Sequence, residues 1–329
     1  MMEKTYAIKA GKFCKDLKAQ IKVFLDNLVD IKQVTLLTIV EFIEKKIEKE
    51  QIIDGIAFPV GVSVNNICAH DTCLDSKDKR VFDLEKDLIK IDFGVHIDGI
   101  IIDNAFTYSR NKDYDLLIKA SEEMVSAVVK KNKKDVKITD IQSLAKETLD
   151  NFNSQNNTNF VAISSLAGHQ IERYKIHANE KQLIYANNLV TGNSQATIRG
   201  EAYYAIEFFI SNGVEQFPQM DTNNISHFMV NYEKLDKFRK VRMYDKNYDM
   251  IRNIIVDNFK TLAFCQRFIL KNIDLSLELI NEVLDYFFEI GVLTKYPAVL
   301  DTDTDVRVAQ FEQTIYVPND IDQNAEVLS

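Results

Sequence analysis

Apolar residues recur every three to four positions over residues 7–28 and again over 36–50, which predicts two amphipathic helices. Residues 55–69 break that rhythm with Pro59 and Gly61 and read as strand and loop. The period then changes over residues 86–110. Their heart, DLIKIDFGVHIDGIIIDNAFTYS, is two β-rich runs around Asp98-Gly99, a strong hairpin signal. Helical spacing returns at 113–132 and 139–153, the second opening on Thr139-x-x-Gln142, a capping-box pattern. Residues 157–217 read as mostly β, with AYYAIEFFIS the clearest strand. Two further helices are expected at 246–270 and 274–291, and VRVAQFEQTIYVP closes the chain as a strand. Neither an internal repeat nor a low-complexity linker interrupts this order. It suits an α+β domain with a late helical segment.

Composition narrows the partners. The chain has 329 residues, enough to bury a large core, with ordinary apolar and charged fractions. A net charge of −9 argues against a general binder of DNA or other polyanions, which needs a Lys/Arg surplus. Apolar runs such as Val34–Val40 fall far short of the ~20 residues of a membrane span, so no membrane partner is expected. The amphipathic, charged start has no secretory h-region, and Cys14, Cys68, Cys73 and Cys265 are scattered as reduced thiols would be. Both point to the cytoplasm. Cys68-Ala-His70-Asp-Thr-Cys73 lacks the second Cys/His pair of a closed zinc site.

The hairpin carries the first chemical anomaly. With Asp98-Gly99 as a two-residue loop, Asp92 lies opposite Ala105 and Asp103 is its diagonal neighbour. A loop at Ile97-Asp98 pairs Asp92 with Asp103 directly. Either register puts both carboxylates on one face. Asp92 follows Leu-Ile-Lys-Ile and Asp103 follows Ile-Ile-Ile, so both are set among apolar neighbours. Burying unpaired carboxylates is costly, and like charges side by side push one pKa up. A bound dication removes both problems. Glu207 and Glu312 show the same anomaly, each mid-strand in apolar company. Of the 5 histidines, His169 follows Gly168 in SSLAGHQIERYKIHA, and His96 reads as structural. Four acids and a histidine form an oxygen-rich set suited to a pair of hard or borderline dications.

Longer segments extend this set. AFPVGVSVNNICAHDT, VFDLEKDLIKIDFGVHIDGIIIDNAFTYS, AGHQIERYKIHA, YYAIEFFIS, ISHFMVNYEK, NFKTLAFCQRF and VAQFEQTI occur in order over residues ~5–318. Through them the chain resembles the methionine aminopeptidase family, and more closely its type 2 branch. The resemblance implies a single pita-bread domain over 1–329, with a helical insertion at 224–300. It implies that Asp92 holds one metal, that Asp103 and Glu312 bridge two, and that His169 and Glu207 complete the second. Two divalent ions (Mn, Fe, Co or Zn) are the implied cofactors, and metal supply decides among them. Glu207 is the implied proton shuttle, and His70 and His177 the histidines that contact the scissile amide. Phe58, Ile176, Phe209, His227 and Ala263 match the methionine pocket, an apolar slot that suits a thioether.

The implied activity is removal of initiator methionine from nascent polypeptide N-termini by a metallo-aminopeptidase. The alternative is a pita-bread binding module that contacts protein or RNA without catalysis; the full ligand set argues for the enzyme. A monomer is expected. Three positions depart from the family pattern: Arg307 where a pocket-mouth tyrosine is usual, Gln313 where a histidine follows the last ligand, and Glu172 for a small residue. Lys234, Lys237, Arg239, Lys240, Arg242 and Lys246 form a basic cluster. It reads as a solvated surface, with transient ribosome contact the weaker alternative, since no aromatic platform accompanies it.

Overall fold

The structure, a computed structural model, describes residues 2–178, 184–185, 196–214, 217–240 and 245–329. Parts of the predicted β stretch 157–217, and Arg242 of the basic cluster, lie outside the described residues. Helix α1 (Met2–Asp26) starts earlier than the apolar rhythm suggests and buries Ala7, Ala10, Cys14, Leu17, Ile21 and Leu25 along one stripe. Strand β1 (Val34–Thr35) runs into α2 (Leu36–Glu48), whose cap is Thr35: its Oγ1 accepts the Thr38 N–H at 3.1 Å. Then come β2 (Gly55–Val64), β3 (Ile67–Ala69), β4 (Val81–Phe82), and the hairpin of β5 (Ile89–Ile97) and β6 (Ile100–Tyr108). Helices α3 (Asp115–Lys131) and α4 (Ile138–Asn156) precede β7 (Val161–Ala162), β8 (Ala167–Ile171), β9 (Ile184–Tyr185), β10 (Ala202–Ser211) and β11 (Gln219–Val230). Among the described residues the helices α5 (Leu235–Lys240), α6 (Lys246–Ile254), α7 (Gln266–Leu270) and α8 (Leu277–Glu289) follow. The chain ends with β12 (Leu293–Leu300), β13 (Val308–Val317) and β14 (Glu326–Val327).

Among the described residues, three sheets of at least three strands form: β2-β5-β6, β14-β13-β10-β8-β9 with β7 on β10, and β11-β12-β3. Alternation along the strands explains what each face does. On β5 and β6, Ile89, Ile91, Phe93, Val95, Ile100, Ile102 and Phe106 pack with α1 and α2 in one core. On β10 and β13, Tyr204, Ile206, Phe208, Ile210, Ala309 and Ile315 pack with α3 and α4 in a second. The helices thus cover one face of each half, and the residues of opposite parity face inward together. A third core joins the strands β11 and β12 to α6, α7 and α8.

The hairpin takes the first of the two registers: Ile97 faces Ile100 and Asp92 faces Ala105. Asp98 (φ 51°) and Gly99 (φ 76°) are both left-handed, as a type I′ turn demands. Glycine is doubly needed at 99, since a Cβ there would lie 2.3 Å from the Tyr174 ring.

Two expectations are corrected. The capping box at Thr139 and Gln142 is not used: α4 is entered from Lys137, with no side-chain cap. Flanking backbone is held instead by residues 196–198, with Ile138 N–H on Ala196 O (3.0 Å) and Ile198 N–H on Val136 O (2.9 Å). The helix expected over 246–270 is interrupted by a π turn at Ile255–Phe259 and a left-handed Lys260 (φ 55°). There the backbone turns to other partners: Phe264 and Phe228 exchange both of their N–H···O bonds, at 2.8 and 2.9 Å. The segment 224–300, expected as a helical insertion, has strands at both ends and helices between them.

Candidate metal centre

The inward-facing residues of the two halves meet in one cleft. Asp92 and Asp103 reach it from β5 and β6, diagonal to each other across the Asp92–Ala105 and Gly94–Asp103 pairs. Glu207 on β10 and Glu312 on β13 are direct cross-strand partners. His169 on β8 pairs with Ala205, two positions from Glu207, and so projects from the same face. Asp103, His169 and Glu312 offer ligand atoms that all lie within 4.8 Å of one another. Asp92 and Glu207 stand beside this group and share one donor, the Gln310 side-chain amide, at 3.4 and 3.3 Å.

Electrostatics shows how unusual the cluster is. Asp103, His169 and Glu312 are buried, and Asp92 and Glu207 are half-buried. Burial pushes the Asp92 carboxyl up to about 7, against the pull of the Gln310 amide. Burial and then neighbouring carboxylate charge hold Asp103, Glu207 and Glu312 well above the usual carboxylate range. Burial, then His177, keeps the His169 pKa well below its ordinary value. His169 is therefore neutral, and its Nε2, 3.5 Å from Asp103 Oδ2, is not half of an ion pair. Asp92 Oδ1, Asp103 Oδ1, His169 Nδ1 and Glu312 Oε1 are buried without a hydrogen-bond partner. Such orphaned acceptors are costly in a protein interior. Converging carboxylate oxygens plus one imidazole are the donor set of a hard or borderline dication, so these residues fit such ions.

The other predicted residues line the same cleft: His70, His177, Phe58, Ile176, Phe209, His227 and Ala263. His70 has a left-handed backbone (φ 63°). Its Nδ1 lies 3.3 Å from Pro297 O, and a carbonyl only accepts, so neutral His70 carries its proton on Nδ1 and leaves Nε2 a lone pair. Burial lowers the His70 pKa; burial and then His70 bring His177 down to about 4 and His227 to about 3. The His177 ring stands edge-on to His169 with centroids 4.4 Å apart. The loop that carries Ile176 and His177 is fixed by Tyr174, itself left-handed (φ 58°). Tyr174 N–H donates to Gly99 O (2.8 Å), its O accepts from Thr261 Oγ1 (2.7 Å), and its hydroxyl accepts from Lys260 Nζ (3.2 Å).

Sequence reasoning missed Gln310 and Tyr296. Gln310 was findable, being two residues before Glu312 on one strand and so on its face. The Tyr296 ring lies 5.7 Å from that of His70 and 6.0 Å from that of His177, on a strand whose pairing with β11 is irregular, which no periodicity reveals. Arg307 is corrected: it is not at the pocket mouth. It shares the parity of Ala309, Phe311 and Ile315, points away from the cleft, and contacts Tyr114 Oη (3.3 Å) and the carbonyls of Thr304 and Val306. Gln313 lies on that outer face too, donating to Ser329 O at 2.9 Å. Glu172 is an exposed neighbour of Lys175. His96 accepts the Gly99 N–H at 3.3 Å within the hairpin, a structural contact.

Comparison with known proteins identifies the family. A family model described as metallopeptidase family M24 matches residues 6–235. The chain is 34% identical over 286 residues to Methionine aminopeptidase 2A of Arabidopsis thaliana, covering 84% of this chain and 60% of that protein. It thus spans only about three-fifths of that relative's length. Among solved structures, a thermophilic Arx1 superposes with a TM-score of 0.77 over 99% of this chain and 90% of that one, at 14% identity. The methionine aminopeptidase of Thermotoga maritima gives 0.60 over 98% and 94%, at 17% identity. The chain therefore belongs to metallopeptidase family M24, whose pita-bread fold it adopts and whose members use divalent metals.

Proposed function

We propose that this chain is a methionine aminopeptidase of the type 2 branch, and that it removes initiator methionine from nascent polypeptides in the cytoplasm. The observation that carries this reading is the convergence of Asp92, Asp103, His169, Glu207 and Glu312 in one cleft with His70 and His177. In this reading the five ligands hold two dications, and residues 224–300 are the type 2 insertion. Bound dications supply Lewis acidity and a water of lowered pKa near neutrality.

The protein's own groups do the rest. Glu207 has a raised pKa and takes up and returns a proton at its carboxylate, with Gln310 Nε2 3.3 Å from Oε2. Neutral His70, turned by Pro297, and neutral His177 border the place where the scissile amide lies. Phe58, Ile176, Phe209, His227, Ala263 and the neighbouring Met229 form an apolar wall for an unbranched side chain. The acids that hold the ions would also bind a free α-amine, which would limit cleavage to the first residue. No helix among the described residues is long and apolar enough to cross a membrane.

The test pairs Met-Ala-Ser with Gly-Pro peptides, each with Mn, Fe, Co and Zn. Hydrolysis of the methionyl peptide and its loss in Asp103→Ala are expected. Unchanged turnover in that variant sinks the proposal. A non-catalytic binding module is the second reading. The likeness to Arx1, at 14% identity, speaks of fold alone. Absence of hydrolysis with every metal, together with retained binding of an RNA or protein partner, would favour it. The exposed Lys237, Arg239 and Lys240 of the basic cluster are the place to look for such a contact.

A further inference from the structure

Asp103 and Glu312 come from strands of different sheets: β6 belongs to β2-β5-β6 and β13 to the sheet of β10. The distance between the two carboxylate arms is therefore not set by an ordinary ladder. Two threonine hydroxyls bridge the strands there instead. Thr107 Oγ1 donates to Gln310 O at 2.8 Å and accepts from Gln310 N–H at 2.7 Å. Thr314 Oγ1 donates to Asp103 O at 2.8 Å and accepts from Asp103 N–H at 2.8 Å. The arrangement is reciprocal. Each threonine stands four residues beyond the residue whose backbone the other one holds, Asp103 before Thr107 and Gln310 before Thr314.

The chemistry of a hydroxyl makes this possible, since it is donor and acceptor at once and so occupies both backbone groups of one residue. Thr107, Gln310, Thr314 and Asp103 are all buried, so water does not substitute for either hydroxyl. A direct ladder brings strands to about 4.8 Å. Inserting a side chain between them holds the strands wider, where facing carboxylates have room for ions between them. The seam also fixes the backbone of a ligand residue itself, at Asp103 N–H and O. Ser329 Oγ adds a weaker contact to Asp103 O, at 3.2 Å.

We propose that Thr107 and Thr314 are positioning residues: their reciprocal hydroxyl clamp sets the gap between the Asp92/Asp103 arm and the Glu207/Glu312 arm, and with it the dication affinity of the cluster. This rests on the reading of the cluster as a dication site. The alternative is that the threonines merely join the halves of the domain.

Thr→Val at 107, at 314 and at both keeps the side-chain shape and removes the hydroxyl; Thr→Ser keeps the hydroxyl. The whole chain is stripped with chelator and titrated with Mn2+ by calorimetry, and its metal-free melting is recorded in parallel. Wild type and both Ser variants should take up Mn2+ alike. Each Val variant should bind about 10-fold or more weakly, the usual loss when support behind a ligand is removed. Wild-type Mn2+ affinity in both single Val variants overturns the clamp, whatever their melting temperatures. So does a Ser variant as weak as its Val counterpart. A wild type that takes up no Mn2+ overturns the dication reading and the clamp with it, a result distinct from failure of the clamp alone. Should the double Val variant not fold, the single variants, each with one hydroxyl left, carry the test.

Discussion

Stripping the cluster of metal and following Mn2+ uptake against pH probes its electrostatics most directly. Burial raises the Asp92 carboxyl to about 7, and burial with neighbouring carboxylate charge holds Asp103, Glu207 and Glu312 well above the usual carboxylate range. A raised carboxyl keeps its proton at a pH where a free one has lost it, so Mn2+ has to displace protons as it binds. Apparent affinity then rises with pH, tenfold per unit for each proton released, or about 1.4 kcal/mol. His169 adds nothing, because its lowered pKa leaves it neutral already. One proton released throughout about pH 6 to 7.5 gives roughly a 30-fold gain, or ~2 kcal/mol; two give about a thousandfold. Calorimetry in buffers of different ionisation enthalpy counts the protons while it measures affinity. An affinity flat across that range, or no proton passed to the buffer, would refute the assignment of raised carboxyls to the metal site.

Two further substitutions test neighbouring features. A Cβ at Gly94 would lie 2.3 Å from Phe58 Cε1, so Gly94→Ala should cost about 1–3 kcal/mol in urea unfolding and raise KM for Met-Ala-Ser more than it lowers kcat. Unchanged stability and KM would show that Phe58 has room to move. Arg267 pairs through both terminal nitrogens with the buried Glu44, one contact being 2.6 Å, while Lys271 reaches that carboxylate at 3.1 Å. Arg267→Ala strands a buried charge and should cost about 3 kcal/mol with Mn2+ affinity unchanged; a loss below about 1 kcal/mol would mean Lys271 compensates alone.

Much of the site was legible because its residues break the rule of their surroundings. Asp92, Asp103, Glu207 and Glu312 are charges on apolar strands, and strand alternation already placed the two aspartates on one face. The turn at Asp98-Gly99 was legible as a type I′ dipeptide, though only the structure chose its register. What stayed hidden depends on partners distant in sequence. Thr107 and Thr314 look like ordinary strand residues until β6 and β13 are set side by side. The helix rhythm over 246–270 gave no warning of the break at Lys260, since Thr261 and Phe264 are drawn off by Tyr174 and Phe228. Thr139 and Gln142 have the spelling of a capping box, but extended pairing with residues 196–198 decides where α4 begins.

Tyr174 has one further consequence, for how the cleft greets a ligand. It binds the hairpin tip at Gly99, its own loop and the turn at Lys260–Thr261 into one joint, so three segments remote in sequence open together or not at all. Their backbone amides should exchange with solvent in a single cooperative event. The stretch of wall formed by Ile176, His177 and Ala263 is built on that joint and is shaped at folding. A ligand that meets it finds a preformed mould, and little of the ordering entropy of binding falls on this side of the cleft.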